Sequence, residues 1–244
     1  MKKNALITGA GKGIGKAITK RLVEEGYFVV MVDINQDEAL SLEMEFGADN
    51  VKFYQCDISN EEGVIQLFDI VNQTYPSLDV LVNNAGIIKD NLIWKMPLKD
   101  FNDVINVNLK GTWLMCKEAA KIMREQKSGR IINISSRAWL GNPGQSNYAA
   151  SKAGIISLTR VLALELGRYN VLVNAISPGL IDTPLSQALP NEVREKLIMA
   201  QPTKSMGNPE DVANAVAFLA DEKLGFITGQ NLYVDGGKSI GAGI

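Results

Sequence analysis

Short apolar runs rich in β-branched residues alternate along this chain with longer stretches of helical periodicity, and no other feature narrows the possible folds as far. NALIT, FVVMVD, VKFYQCD, LDVLVN, RIINIS, VLVNAIS and NLYVD read as seven strands. Helical patterns run between them, over Ile14 to Glu25, Glu38 to Phe46, Glu61 to Tyr75 and Val212 to Ala220. A strand that returns through a helix lies parallel to its predecessor, because right-handed crossovers place that helix on a face of the sheet. The alternation therefore predicts an α/β, doubly wound fold with a seven-stranded parallel sheet and helices on both faces. No Ser/Gly-rich linker, low-complexity tract or repeat interrupts it, so residues 1–244 are expected to form a single domain. Pro178, Gly179, Pro184, Pro190 and Pro202 break the regularity of residues 178–208. That segment follows the carboxyl end of a strand, where such folds bind ligands, and is the expected substrate lid.

Composition removes several classes of function. The chain has 244 residues, 46% hydrophobic and 21% charged, with a net charge of −2 and no basic run. Nucleic acid and anionic membrane surfaces are thus not expected partners, whereas a small molecule is. Only three apolar residues separate Met1-Lys2-Lys3-Asn4 from Gly9 once Thr8 is set aside, too few for a signal peptide, and no stretch has the roughly 20 apolar residues of a membrane span. The expected location is the cytoplasm. Cys56 and Cys116 lack CxxC spacing and are expected to be buried thiols. With no histidine anywhere, Ser-His and Cys-His dyads and imidazole metal sites are excluded, and no acidic cluster has metal-loop spacing, so no metal is expected.

Two stretches carry chemistry. Thr8-Gly9-Ala10-Gly11-Lys12-Gly13-Ile14-Gly15 closes the first strand and opens the first helix, where glycines let the backbone approach a diphosphate and free N–H groups meet its charge. Asp33 ends the second strand, placed to accept hydrogen bonds from adenosine ribose hydroxyls. A 2′-phosphate beside it would meet repulsion of about 4 kcal/mol per unit charge at close range, which favours NAD over NADP. In the helical pattern from Asn147 to Leu166, Tyr148 and Lys152 stand four apart and share a face. An ammonium near a phenol favours the phenolate, so the pair can replace histidine in proton transfer.

The glycine loop resembles the TGxxxGxG loop of the short-chain dehydrogenase/reductase family. Asn83-Asn84-Ala85-Gly86 is similar to that family's NNAG, Tyr148-x-x-x-Lys152 to its YxxxK, Asn108 in VINVNL to its catalytic asparagine, and Pro178-Gly179 to its PG motif. The resemblance spans essentially the whole chain and implies a Rossmann fold. It implies cofactor contacts from Thr8, Gly9, Lys12, Gly13, Ile14 and Gly15, from Asp33, and from Asp57 and Ile58 at the adenine. Asn84, Ala85 and Gly86 would pass the second ribose, with Pro178, Gly179, Ile181 and Thr183 near the nicotinamide. A basic residue at the position of Lys12 often meets the 2′-phosphate of NADP in the family, so NADP stands as the alternative to NAD.

The same resemblance makes Tyr148 the acid/base on the substrate oxygen. Lys152 lowers its pKa and binds the nicotinamide ribose, while Asn108 holds a relay water. A serine after the fifth strand bonds the substrate oxygen: counting from the strand gives Ser136, counting back from Tyr148 gives Ser135, and the strand end, being the more constrained, favours Ser136. Arg137, Trp139 and Gln145 are the expected substrate contacts. The Arg137 guanidinium suits a carboxylate, phosphate or thioester carbonyl, with a structural salt bridge or subunit contact as its alternative role.

Overall similarity is greatest to bacterial 3-oxoacyl reductases, which implies a 3-oxoacyl thioester substrate. Leu114 and Tyr169 depart from that pattern, standing where carrier-protein reductases tend to place docking arginines, although Arg168 is adjacent. A small secondary alcohol, polyol or sugar substrate remains the alternative. A non-catalytic NAD-sensing regulator is the alternative of a different class. Family members are usually tetramers that pair long helices, here roughly Leu98 to Gln126 and Ser146 to Arg168, so a homotetramer is expected.

Overall fold

The computed structural model describes residues 2–240, apart from the side chain of Leu185. Strands β1 (Asn4–Thr8), β2 (Phe28–Asp33), β3 (Val51–Gln55), β4 (Val80–Asn83), β5 (Gly129–Ile134), β6 (Val171–Pro178) and β7 (Asn231–Val234) form one sheet in the order β3-β2-β1-β4-β5-β6-β7. Every pairing is parallel. The helices are α1 (Gly13–Glu24), α2 (Gln36–Phe46), α3 (Glu61–Thr74), α4 (Leu98–Ile105), α5 (Thr112–Gln126), α6 (Ser146–Leu166), α7 (Pro184–Gln187), α8 (Asn191–Met199) and α9 (Pro209–Ala220).

Alternate side chains of each strand feed opposite layers. Ala5 and Ile7 of β1 join Ile18 and Leu22 of α1 and Val212 and Val216 of α9 in one apolar cluster. Leu6 between them joins Val64 and Phe68 of α3 with Met115, Ala119 and Ala163 of α5 and α6 in the other. Strands buried on both faces must be apolar almost throughout, which is why they appear as unbroken runs rather than alternations. Cys116 is buried as expected, but Cys56 is only half-buried; both are free thiols whose pKa burial pushes up, to about 12 and about 11.

Helix starts differ in a way that positions the site. Asn35 and Asn60 cap α2 and α3 by accepting from the backbone of Asp37 and Gly63, and acidic residues fill both first turns. α1 has neither a side-chain cap at Lys12 nor an acid in its first turn, so its leading N–H groups stay available to an anion. The long helix expected from Leu98 to Gln126 is interrupted: residues Asn106–Gly111 form a π-helical turn between α4 and α5. That widened turn carries Asn108.

Candidate active site

Successive connections carry the chain from β1 outward to β3 and then back across to β4. The carboxyl ends of β1 and β4 thus diverge into a crevice, the place where open parallel sheets bind ligands. The glycine loop enters it from one side and Asn84-Ala85-Gly86 from the other. The two loops touch: a Cβ at Gly9, whose φ is +65°, would lie 2.8 Å from Ala85 Cα, and one at Gly15 would run into the Gly9 carbonyl. Thr8 Oγ1 accepts from the amides of Asn84 and Ala85 at 3.0 and 3.1 Å, and Asn84 Nδ2 donates to the carbonyls of Thr8 and Gly9. Thr8 is wholly buried and the Asn84 side-chain amide bonds backbone, so both side chains set the shape of the crevice. Gly13, at φ +52°, faces outward, and a Cβ there would come 3.6 Å from Thr183 Cγ2, which brings the segment after β6 over the loop.

At the far end of the crevice, Asp33 accepts from Gly11 N through Oδ2 and from Asn35 N through Oδ1, both at 3.0 Å. Each oxygen keeps a further acceptor position for a ribose hydroxyl. Lys12 Nζ lies 3.6 Å from Glu38 Oε2, so the one nearby cation is already balanced by an acid. Asp57 is exposed, its Oδ1 accepting from the amide and hydroxyl of Ser59. The Ile58 side chain is buried against Gly111, which leaves its backbone as the part that can meet a base.

Tyr148 and Lys152 lie on the first turns of α6, under the end of β5. Lys152 Nζ donates to Ile134 O at 2.8 Å and sits 5.6 Å from the Tyr148 ring centroid. The two serines make different contacts. Ser135 Oγ donates to the Lys152 carbonyl at 2.9 Å and is buried in the frame. Ser136 accepts from Ala138 N at 3.1 Å, and its hydroxyl acts on the Tyr148 phenol, drawing the pKa down. Proton affinities differ from expectation. Burial raises the Tyr148 pKa, the Ser136 bond draws it down, and the Asp90 carboxylate raises it again. Lys152 is pushed down to about 8 because its ammonium is stripped of water. The expected dominance of the lysine charge over the phenol is therefore not found; desolvation of both groups is the stronger effect.

Asn108 is wholly buried, with Nδ2 donating to Ile87 O at 3.0 Å and Ser151 Oγ at 3.2 Å, and Oδ1 accepting from Ile87 N at 2.8 Å. Its carbonyl accepts from Thr112 Oγ1 at 2.7 Å. Both N–H donors are spent, so any water it holds must donate to one of its oxygens. Gly86 completes this corner: a Cβ there would sit 3.2 Å from Asn108 Oδ1 and 3.5 Å from Lys152 Nζ.

Around the mouth, Arg137 and Trp139 occupy a 3₁₀ turn after Ser136, and the Arg137 Nε and Trp139 Nε1 atoms are buried without a partner among the described residues. Gln145, the third expected substrate contact, is tied to its neighbours. Its Nε2 donates to both oxygens of Asp90 at 3.2 and 3.0 Å and its Oε1 accepts from Asn142 at 2.9 Å. Asp90 is thus a site residue that sequence reasoning missed; its partner is 55 positions away and no local pattern announces the pair. Pro178 and Gly179 end β6, and Gly179 is required by packing, since a Cβ would lie 2.7 Å from that of Asp235. Ile181 is buried and bridges to Gly207. The carbon skeletons of these three therefore build the base of the segment after β6, leaving Thr183 as its side chain nearest the glycine loop.

A family model described as Enoyl-(Acyl carrier protein) reductase matches residues 9–239. (2S)-[(R)-hydroxy(phenyl)methyl]succinyl-CoA dehydrogenase subunit BbsD of Thauera aromatica is 44% identical over 241 residues, 98% of this chain and 97% of that protein. The 3-oxoacyl-[acyl-carrier-protein] reductase FabG of Thermotoga maritima is 42% identical over 241 residues, covering 98% of both chains. Among solved structures, ElxO with NADP bound superposes with a TM-score of 0.92 at 36% identity, over 98% of this chain and 99% of that one. Levodione reductase gives a TM-score of 0.92 at 34% identity, over 97% of each.

Proposed function

The chain belongs to the short-chain dehydrogenase/reductase family, nicotinamide-dependent oxidoreductases, and from that premise we propose that it reduces the 3-oxo group of an acyl thioester to a secondary alcohol. The observation that carries the reading is the Tyr148–Lys152 pair: the buried ammonium lies 5.6 Å from the phenol ring, next to Gly86, with Ser136 at the end of the neighbouring strand acting on the same phenol. The residues present suit a dinucleotide. α1 opens without a cap, Gly13 takes the positive φ that turns the loop into the helix, and Asp33 keeps acceptors free. The cofactor would supply the hydride.

The chain's own groups handle position and protons. The uncapped amides of α1 hold the diphosphate, Asp33 takes the adenosine ribose and Lys152 the second ribose. Ser136 donates a hydrogen bond to the substrate carbonyl oxygen, and Tyr148, held protonated at neutral pH by its burial, delivers the proton to that oxygen. Lys152, with Asn108 behind it, replaces the charge balance as the proton leaves.

Two relatives support a thioester, since a coenzyme A ester and an acyl-carrier-protein ester share that group. The departure at the carrier-docking positions tilts the choice toward coenzyme A: Leu114 is buried in the core, and Arg168 stacks over Tyr169 at 4.8 Å. Levodione reductase motivates the second reading, a small ketone. Initial rates with 3-oxoacyl-CoA, a carrier-bound 3-oxoacyl ester, cyclic ketones and polyols separate them. The highest kcat/KM is expected for a thioester; a higher value for a ketone or polyol overturns the substrate proposal.

The proposed cofactor is NADH, supported by Asp33 and by the Glu38 counter-charge on Lys12. The bound NADP of ElxO weighs the other way. A homotetramer is the proposed assembly, supported by exposed Trp113, Val161 and Leu164 on the outer faces of α5 and α6. The segment from Pro178 to Asn208 is the proposed lid, supported by the bridge between Ile181 and Gly207 that draws its two ends together.

A further inference from the structure

The segment leaving Gly86 is stitched at successive residues to the elements that carry the proton machinery. Ile87 pairs through both its amide and its carbonyl with the Asn108 side chain. The Lys89 carbonyl accepts from Asn147 Nδ2 at 2.8 Å, and Asn91 N donates to Gly144 O at 2.8 Å, forming a bridge with Gln145. Between these two fixed points stands Asp90, both of whose carboxylate oxygens are gripped by Gln145 Nε2. Gln145 precedes α6 and lies three residues, one helical turn, ahead of Tyr148.

Nothing neutralises the carboxylate. The adjacent Lys89 turns away to α4, where it pairs with Asp100 at 2.9 Å and Asp103 at 2.8 Å, and Lys99 also pairs with Asp103. Lys95 stands later on its own segment, Arg137 on the turn after Ser136, and Lys152 on α6. None of these makes an ion pair with Asp90 among the described residues. Tyr148 itself is faced by the Ser136 hydroxyl, by Lys152 from within the helix and by Asp90 from the mouth.

We propose that Asp90, clamped by Gln145 at the head of α6, is a positioning residue whose fixed negative charge keeps the proton on Tyr148 and so sets the pH at which the phenolate needed for alcohol oxidation becomes available. The direction of its influence on the phenol agrees. The inference rests on Tyr148 being the acid/base of the proposed reaction. A fixed carboxylate opposes formation of the phenolate and offsets the pull of Lys152. Reduction is served by a protonated phenol, whereas oxidation of an alcohol needs the phenolate.

The test is the pH dependence of kcat/KM for alcohol oxidation, measured for the wild type, Asp90→Asn, Asp90→Glu and Gln145→Leu, with Tyr148→Phe alongside. Asparagine keeps the size of the aspartate and a carbonyl for Gln145 while removing the charge. The rising limb is expected to move to lower pH by about half a unit to one unit in Asp90→Asn. A smaller shift in the same direction is expected in Gln145→Leu, with return toward the wild-type value in Asp90→Glu. The gap between wild type and Asp90→Asn should narrow as salt is raised, because Asp90 is exposed. An unmoved limb in Asp90→Asn, or a loss of rate equal at every pH, overturns the inference while an inactive Tyr148→Phe leaves the proposed reaction standing. If Tyr148→Phe keeps its pH-dependent turnover, the proposed reaction itself fails and the inference falls with it.

Discussion

At the scale of single residues, the site separates groups that face the substrate from groups that hold them. Ser136→Ala removes the hydroxyl paired with the phenol and is expected to lower kcat about 100-fold with little change in cofactor affinity. Ser135→Ala removes a bond to the Lys152 carbonyl instead, which should cost about 1 kcal/mol of stability and leave kcat within several-fold. Steady-state rates and thermal melts of both variants check the pair. Lys152 gives a prediction with a defined sign. Its folded pKa of about 8 lies below that of a free lysine near 10.4. Below about 8 both states carry the proton and the folded chain bears the full burial penalty. Between these values the unfolded chain binds the extra proton, so stability rises with pH by up to about 3 kcal/mol. Lys152→Met should remove that part of the rise, seen as a smaller gain in denaturation midpoint between neutral and alkaline pH than the wild type shows. The motif residues Tyr148, Lys152, Gly13 and Asp33 were legible because each motif is local in sequence. Asp90, the spent side chains of Thr8, Asn84 and Gln145, and the raised proton affinity of Tyr148 were not. They depend on burial and on partners up to 77 positions apart.

At the scale of elements, the glycine loop tests why the crevice is narrow. Gly15→Ala drives a methyl into the Gly9 carbonyl within the contact between loop and helix, so it should destabilise the fold by about 2 kcal/mol or more and abolish dinucleotide binding. Gly13→Ala meets no atom closer than 3.6 Å and carries only the strain of φ +52°, about 1 kcal/mol, so it should fold and bind the cofactor more weakly. Melting curves with and without dinucleotide distinguish them. All seven strands were legible, because buried parallel strands are unbroken apolar runs bounded by polar turns. The π-helical turn at Asn106–Gly111 was not: its sequence keeps helical periodicity on both sides, and one widened turn leaves no compositional mark.

At the scale of the whole molecule, two proposals remain to be measured. Leu164, 86% exposed on α6, should lie in a subunit interface, so Leu164→Glu is expected to shift the sedimentation coefficient from that of a tetramer to a smaller species. An unchanged coefficient would move the interface elsewhere. For the cofactor, kcat/KM is expected to be at least about tenfold higher with NADH than with NADPH, the factor that 1.4 kcal/mol of discrimination at Asp33 supplies. A preference for NADPH would instead assign Lys12 to a phosphate. The central proposal is that the chain moves a proton through Tyr148 without histidine. The most direct measurement is turnover of a 3-oxoacyl-CoA by wild type and Tyr148→Phe at neutral pH, with the affinity for reduced dinucleotide measured by its fluorescence. The expected result is a loss of kcat of about 100-fold or more at unchanged dinucleotide affinity. A Tyr148→Phe enzyme that keeps wild-type kcat would contradict the account.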